Sequence, residues 1–227
     1  INLKTPYRGL LLYHGLGTGK TCSAISVCEQ SRLYNKQLKN PKRIIIVASP
    51  NVQENFKLQL FDERKLKKID GNWNIKSCTG NTFIKEINPM NMKGLTKEKV
   101  VAQVKRIINT SYLFLGYIEF ANYVNKRSTV GSELTSKQRE KIIKQKLNRI
   151  FSNRLIIIDE VHNIRSDEKD SESRDTIQYI EMVIKYSDKL RLILLTANPM
   201  YNMNTEIIWI LNMLLMNENK NTIQEKD

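Results

Sequence analysis

The stretch LLLYHGLGTGKTCSA, residues Leu10–Ala24, decides how the rest of the chain is read. A run of aliphatic residues ends at His14. A glycine-rich turn follows (Gly15, Leu16, Gly17, Thr18, Gly19), then Lys20, Thr21 and Cys22 open a segment with helical spacing. Strand, glycine turn, lysine, helix is the order a phosphate-binding loop requires. Glycines let backbone N–H groups converge on phosphate oxygens, and a helix N-terminus adds donors and positive potential. The strict pattern G-x-x-x-x-G-K-[ST] would place a glycine at position 14, where this chain has His14. The last residue of the strand tolerates a side chain if it points away from the phosphates. His14 to Cys22 is therefore the expected nucleotide-binding segment, with Lys20 reaching the β- and γ-phosphates and the Thr21 hydroxyl on Mg²⁺.

Working outward, three further aliphatic runs stand out: RIIIVAS (43–49), RLIIIDE (154–160) and LRLILLTAN (190–198). None alternates strictly with polar residues, so each reads as a strand buried on both faces of a parallel sheet. Shorter strands are expected at 74–79 and 111–116. Helical patterns fall between them at 20–34, 53–61, 174–186 and 205–216. This alternation predicts an α/β fold: a RecA-like phosphate-loop lobe with a mainly parallel central sheet and helices on both faces. Segments 62–110 and 125–152 are basic insertions, with helices expected at 96–108 and 136–151. Residues 1–217 form one domain on this reading, and 218–227 are a polar, fraying tail or linker.

The second chemical signal is Asp159-Glu160 at the end of RLIIIDE. Open α/β sheets bind ligands beyond the carboxyl ends of their strands. There Asp159 can hold a metal, usually through water, and Glu160 can polarise an attacking water.

Composition bounds the rest. The 227 residues carry 37 Lys plus Arg against 23 Asp plus Glu, a net charge of +14 that favours a polyanionic partner such as nucleic acid. Cys22, Cys28 and Cys78 have no metal-ligand spacing and read as small buried or half-buried side chains in a reducing compartment. The longest apolar run, 207–216, is too short to span a bilayer and contains Asn212. The opening INLKTP suggests a piece of a longer intracellular protein.

Together these motifs resemble superfamily 2 helicases. DEVH (159–162) resembles their DExH box, LLTANPM (194–200) their third motif, and IIIVASPNVQENF (44–56) their motif Ia. The phosphate loop fits their looser form. TPYRGLLLYHGLGTGKTCSAI, SCTGNTFIKEINP and LFLGYIEFANYV are similar to the helicases and transcription-factor ATPases of nucleocytoplasmic large DNA viruses. These include the poxvirus early-transcription-factor and nucleoside-triphosphatase subunits of the Swi/Snf-like branch.

The resemblance implies ATP and Mg²⁺ as cofactors, with Lys20, Asp159, Glu160 and His162 catalytic and Thr21 and Asp159 on the metal. It implies that His162 and Thr196 couple hydrolysis to movement, and that Ser49, Pro50 and Asn51 approach nucleic-acid phosphate. Asn198 replaces the usual Thr of the third motif. Basic segments 65–68 and 126–149 are further candidate DNA or RNA contacts. A second RecA-like lobe would complete the site with arginines, so this lobe alone is expected to hydrolyse ATP poorly. Transcription machinery is a further implied partner, in a virion or host cytoplasm. An NTPase acting as an assembly switch, without moving along nucleic acid, is the alternative.

Overall fold

The computed structural model describes residues 5–13, 15, 19–90, 92, 94–131, 133–166, 171–200 and 206–224. The expected nucleotide contacts at His14, Leu16, Gly17 and Thr18 lie outside these residues.

In chain order the elements are β1 (Gly9–Tyr13), α1 (Lys20–Asn35), β2 (Ile44–Val47), α2 (Pro50–Leu60), a 3-10 turn (Glu63–Lys65), β3 (Leu66–Ile69), β4 (Asn72–Ile75), α3 (Thr82–Ile87) and α4 (Lys97–Ser111). Then follow β5 (Tyr112–Leu115), α5 (Tyr117–Ser128), α6 (Ser136–Phe151), β6 (Leu155–Ile158), α7 (His162–Ser166), α8 (Ser171–Tyr186), β7 (Arg191–Thr196) and α9 (Glu206–Asn217). Five strands form one parallel sheet in the order β1-β7-β6-β2-β5.

The continuous aliphatic runs are explained by two cores. In β2, β6 and β7 successive side chains point to opposite faces of the sheet. Ile44, Ile46, Leu155, Ile157, Ile193 and Leu195 pack on one face with Ile25 of α1, Phe56 of α2, Phe83 of α3 and Val104 of α4. Ile45, Val47, Ile156, Ile158, Leu192 and Leu194 pack on the other with Phe120 of α5, Phe151 of α6, Val183 of α8 and Met213 of α9. Neither face of these strands can be polar, so the runs do not alternate.

Strand β1 approaches α9 closely. A Cβ on Gly9 would lie 2.9 Å from Leu214 Cδ2. Gly9→Ala is expected to cost about 1 kcal/mol, near the low end for overpacking because the Leu214 side chain can turn. A melting midpoint unchanged within about 1 °C would contradict that packing.

Three expectations need correction. The strand expected at 74–79 is β4, at 72–75, and it pairs antiparallel with β3 in a separate hairpin rather than joining the main sheet. Asp70 and Gly71 turn this hairpin with φ of 49° and 85°, the paired positive values of a type I′ turn. The tail is tied down over 218–224. Glu218 Oε1 accepts from the backbone N–H of Arg8 and, at 3.1 Å, of Gly9. The Asn212 amide donates to Ile223 O at 3.0 Å and accepts from Ile223 N at 2.7 Å. Cys22 and Cys78 are bridged, with Cα atoms 5.3 Å apart, so only Cys28 is a free thiol among the described residues.

One polar cluster crosses the first core. Arg32 of α1, 2% exposed, forks onto Glu29 with its Nε 2.9 Å from Oε1 and its Nη2 2.7 Å from Oε2. Its Nη1 donates to Glu86 Oε2 at 2.8 Å, and the guanidinium lies 4.8 Å from the Phe83 ring centroid. Tyr112 of β5 donates to Glu29, and Lys36 pairs with Glu86. The helices α1 and α3 and the strand β5 are thus tied together around this one guanidinium.

Candidate active site

The strand order brings the distant motifs together. β7 lies between β1 and β6, with Tyr13 beside Thr196 and Ile158 beside Leu194. The expected phosphate-binding segment follows β1, the Asp159-Glu160 pair follows β6, and Thr196 ends β7. All three emerge at adjacent strand ends on the carboxyl edge of the sheet.

Gly19 starts α1 at φ 84°, a left-handed conformation that favours glycine. Lys20 then reaches across the edge. Its Nζ lies 2.6 Å from Glu160 Oε1 and 3.8 Å from Asp159 Oδ1. Asp159 is 3% exposed. Burial pushes its carboxyl above the ordinary range, Lys20 pulls it back and Glu160 pushes it up again. The residues fit a divalent cation of the hard, oxygen-preferring kind. The buried Asp159 carboxylate is the oxygen donor that a Mg²⁺ keeping several waters would use.

Glu160 sits at φ 45°, an uncommon backbone for a side-chain-bearing residue. Its neighbours hold it there. Asp159 N donates to Val47 O at 2.9 Å, Val161 N to Leu195 O at 3.1 Å, and Asn163 N to Glu160 O at 2.9 Å. The turned carboxylate accepts from Ala197 N at 3.3 Å through Oε2. The same oxygen lies 3.4 Å from His162 Nδ1.

His162 and Thr196 are in contact, with Nδ1 and Oγ1 2.8 Å apart. Thr196 Oγ1 also accepts from Asn198 N at 3.1 Å. Burial lowers the His162 pKa and Lys20 adds to this, while Glu160 and Glu206 oppose it. Asn198, in place of a threonine, keeps a local role: its Oδ1 accepts from Met200 N at 3.4 Å.

Ser49, Pro50 and Asn51 lie at the N-terminus of α2, beyond the end of β2, with Ser49 as the N-cap and Pro50 at the first helical turn. They share the carboxyl edge with the phosphate-loop helix. The two basic segments separate. Leu66 and Ile75 of the hairpin, which bears Lys67 and Lys68 and follows Lys65, pack into the first core, whereas Leu147 and Phe151 of α6 pack into the second. They decorate opposite sides of the sheet.

Sequence reasoning gave Tyr117 no role, although it lies within GYIEF. Its hydroxyl donates to Asp159 O at 2.7 Å. Only the strand order shows that β5 and β6 both flank β2, which brings the start of α5 next to the carboxylates.

The fold and this edge define a class: a RecA-like phosphate-loop lobe of the superfamily 2 helicase kind. Residues 2–200 match the family model described as Type III restriction enzyme, res subunit, and the chain belongs to that family. It is 30% identical over 222 residues to "Putative ATP-dependent RNA helicase R563" of Acanthamoeba polyphaga mimivirus, covering 96% of this chain and 31% of that protein. It is 27% identical over 242 residues to "Putative ATP-dependent RNA helicase L377" of the same virus, covering 100% of this chain and 19% of that protein. "Putative helicase 087L" of Invertebrate iridescent virus 3 is 25% identical over 222 residues, covering 95% and 19%. The chain therefore spans less than a third of the curated relatives it matches. Among the described residues no helix is long and apolar enough to cross a membrane.

Proposed function

We propose that this domain is the ATP-binding lobe of a DExH-type, nucleic-acid-stimulated ATPase of viral origin that moves along or unwinds DNA or RNA. The observation that carries the proposal is the continuous set of contacts Lys20–Glu160–His162–Thr196 across three neighbouring strand ends. It links the expected phosphate lysine to the expected water-polarising carboxylate, and that carboxylate to the third motif.

In this reading ATP phosphates draw Lys20 away from Glu160. The freed carboxylate then orients and polarises water toward the γ-phosphate. Thr21 and Asp159 would hold Mg²⁺, which neutralises charge on the phosphate oxygens when bound. His162 and Thr196 follow the state of Glu160 and pass it to the segment after β7. Ser49–Asn51, at a helix N-terminus, suit a backbone phosphate. Arginines from a second lobe would complete the site, and virion or host cytoplasm is the expected location. A role in viral transcription or genome handling fits the viral relatives.

The test is ATP turnover by the full-length protein with single-stranded nucleic acid, duplex or none, across a salt series. Stimulation that falls steeply with salt and depends little on sequence is expected, because a motor grips phosphates. Turnover indifferent to every nucleic acid would replace the motor with an assembly switch.

A further inference from the structure

One peptide plane joins the two carboxylate residues, and it is held at both ends. At one end its carbonyl, Asp159 O, accepts from the Tyr117 hydroxyl at 2.7 Å. At the other end its N–H, that of Glu160, donates to Asp159 Oδ1 at 2.8 Å. The plane therefore cannot turn without breaking a hydrogen bond at a half-buried site. Its orientation governs two things. It sets the direction in which Asp159 presents its carboxylate, because Oδ1 is bonded to it. It also sets the entry into the left-handed turn at Glu160, where φ is 45° and Oε1 meets Lys20 at 2.6 Å.

The phenol is itself well fixed. Tyr117 opens α5, whose N-cap Gly116 donates its N–H to Glu119 Oε2 at 2.7 Å. The ring packs against the second core. On the far side of the turn, Asn163 N donates to Glu160 O at 2.9 Å. Tyr117 and Asn163 thus hold the backbone of the two carboxylate residues from either side, at Asp159 O and Glu160 O.

We propose that Tyr117 is a positioning residue for ATP hydrolysis: its hydroxyl sets the Asp159–Glu160 peptide plane and through it the aim of both carboxylates. The proposal rests on the reading of these two residues given above. A residue that holds a ligand-bearing group by one hydrogen bond is worth about 10-fold to 100-fold in comparable sites. A loss of aim costs turnover more than binding, because Lys20 and the loop still meet the phosphates.

The test compares wild type, Tyr117→Phe and Glu160→Gln in the full-length protein, with turnover, melting midpoint and amide hydrogen exchange at 159–163 measured on each. Tyr117→Phe keeps the ring in the core. The expected result is kcat lowered about 10-fold or more, KM for ATP within about 2-fold, an unchanged melting midpoint, and faster exchange confined to 159–163. A purely structural hydroxyl would instead lower the midpoint and leave kcat within about 2-fold. That outcome, or unchanged exchange at 159–163, overturns the proposal while the ATPase reading stands. Wild type lacking turnover, or Glu160→Gln as active as wild type, overturns the ATPase reading and the proposal with it.

Discussion

Glu160→Gln is expected to lower ATP turnover about 10²-fold to 10⁴-fold, the range for removing a general base, while nucleotide still binds. The substitution keeps the side-chain volume and one oxygen, which can meet Ala197 N or Lys20 Nζ but not both. It removes the charge that polarises water. Nucleotide affinity should hold or rise, because the Glu160 carboxylate, 2.6 Å from Lys20 Nζ, would compete with phosphate for it. Lys20→Ala should do the reverse and weaken binding. It also leaves Asp159 without the cation that lowers its pKa, so the buried carboxyl rises further. The measurement is a titration with a fluorescent nucleotide beside single-turnover hydrolysis, made on the full-length protein so that both lobes are present. Glu160→Gln turning over within about threefold of wild type would remove Glu160 from the chemistry.

Arg32→Ala is expected to destabilise the domain by about 3–5 kcal/mol, the cost of leaving buried charges uncompensated. Glu29 would lose a forked partner and keep the Tyr112 hydroxyl, while Glu86 would keep Lys36. For a domain of this size that corresponds to a melting midpoint lower by roughly 6–20 °C. Acid titration gives a second readout. Burial acts to raise the Glu86 pKa, but hydrogen bonds from Lys36 and Arg32 outweigh it and hold the carboxyl below its usual value. A carboxyl whose folded pKa is depressed stabilises the fold above its unfolded value, about 4.3, and loses that contribution as pH falls through the folded value. Wild type should therefore lose stability below about pH 4.3, and Arg32→Ala should show less of that loss. Thermal melts at about pH 7 and about pH 3.5 check both. A variant melting within about 2 °C of wild type at neutral pH would show that the cluster is incidental to stability.

Much of this was legible in the chain. Runs such as Ile44–Val47 and Leu155–Ile158 are apolar at every position because each strand has helices on both faces, and that pattern survives without knowledge of the partners. Thr135 and Gln138 form a reciprocal cap that marks the start of α6, and the expected helix 136–151 matches it. The hairpin was harder. Leu66-Lys-Lys-Ile buries only Leu66, so the strand has almost no hydrophobic pattern. Its strongest signal was the Asp70-Gly71 pair, a turn signature that sequence reading passed over. The helix α5 was hidden within a segment read for its strand and its charge, although Phe120, Ala121 and Val124 mark its buried side.

For the candidate site, the motifs were local and therefore visible. The contacts that make them one site were not. Lys20 and Glu160 are far apart in sequence, and only the placing of β7 between β1 and β6 brings them together. Tyr117 lies within LFLGYIEFANYV, yet nothing in that segment singles it out, because its contact with the site is one hydroxyl on a backbone carbonyl. The Cys22–Cys78 bridge likewise depends on where the turn before α3 meets the start of α1.

The Asn212–Ile223 clamp has a practical consequence. An amide side chain that both donates to and accepts from one residue fixes that residue as a neighbouring strand would. Ile223 is 39% exposed, so a label can be attached there with its attachment point still anchored to α9 by backbone bonds. A dye at 223, paired with one on α6, would report displacement of α9 as a change in energy transfer rather than the swing of a loose tether.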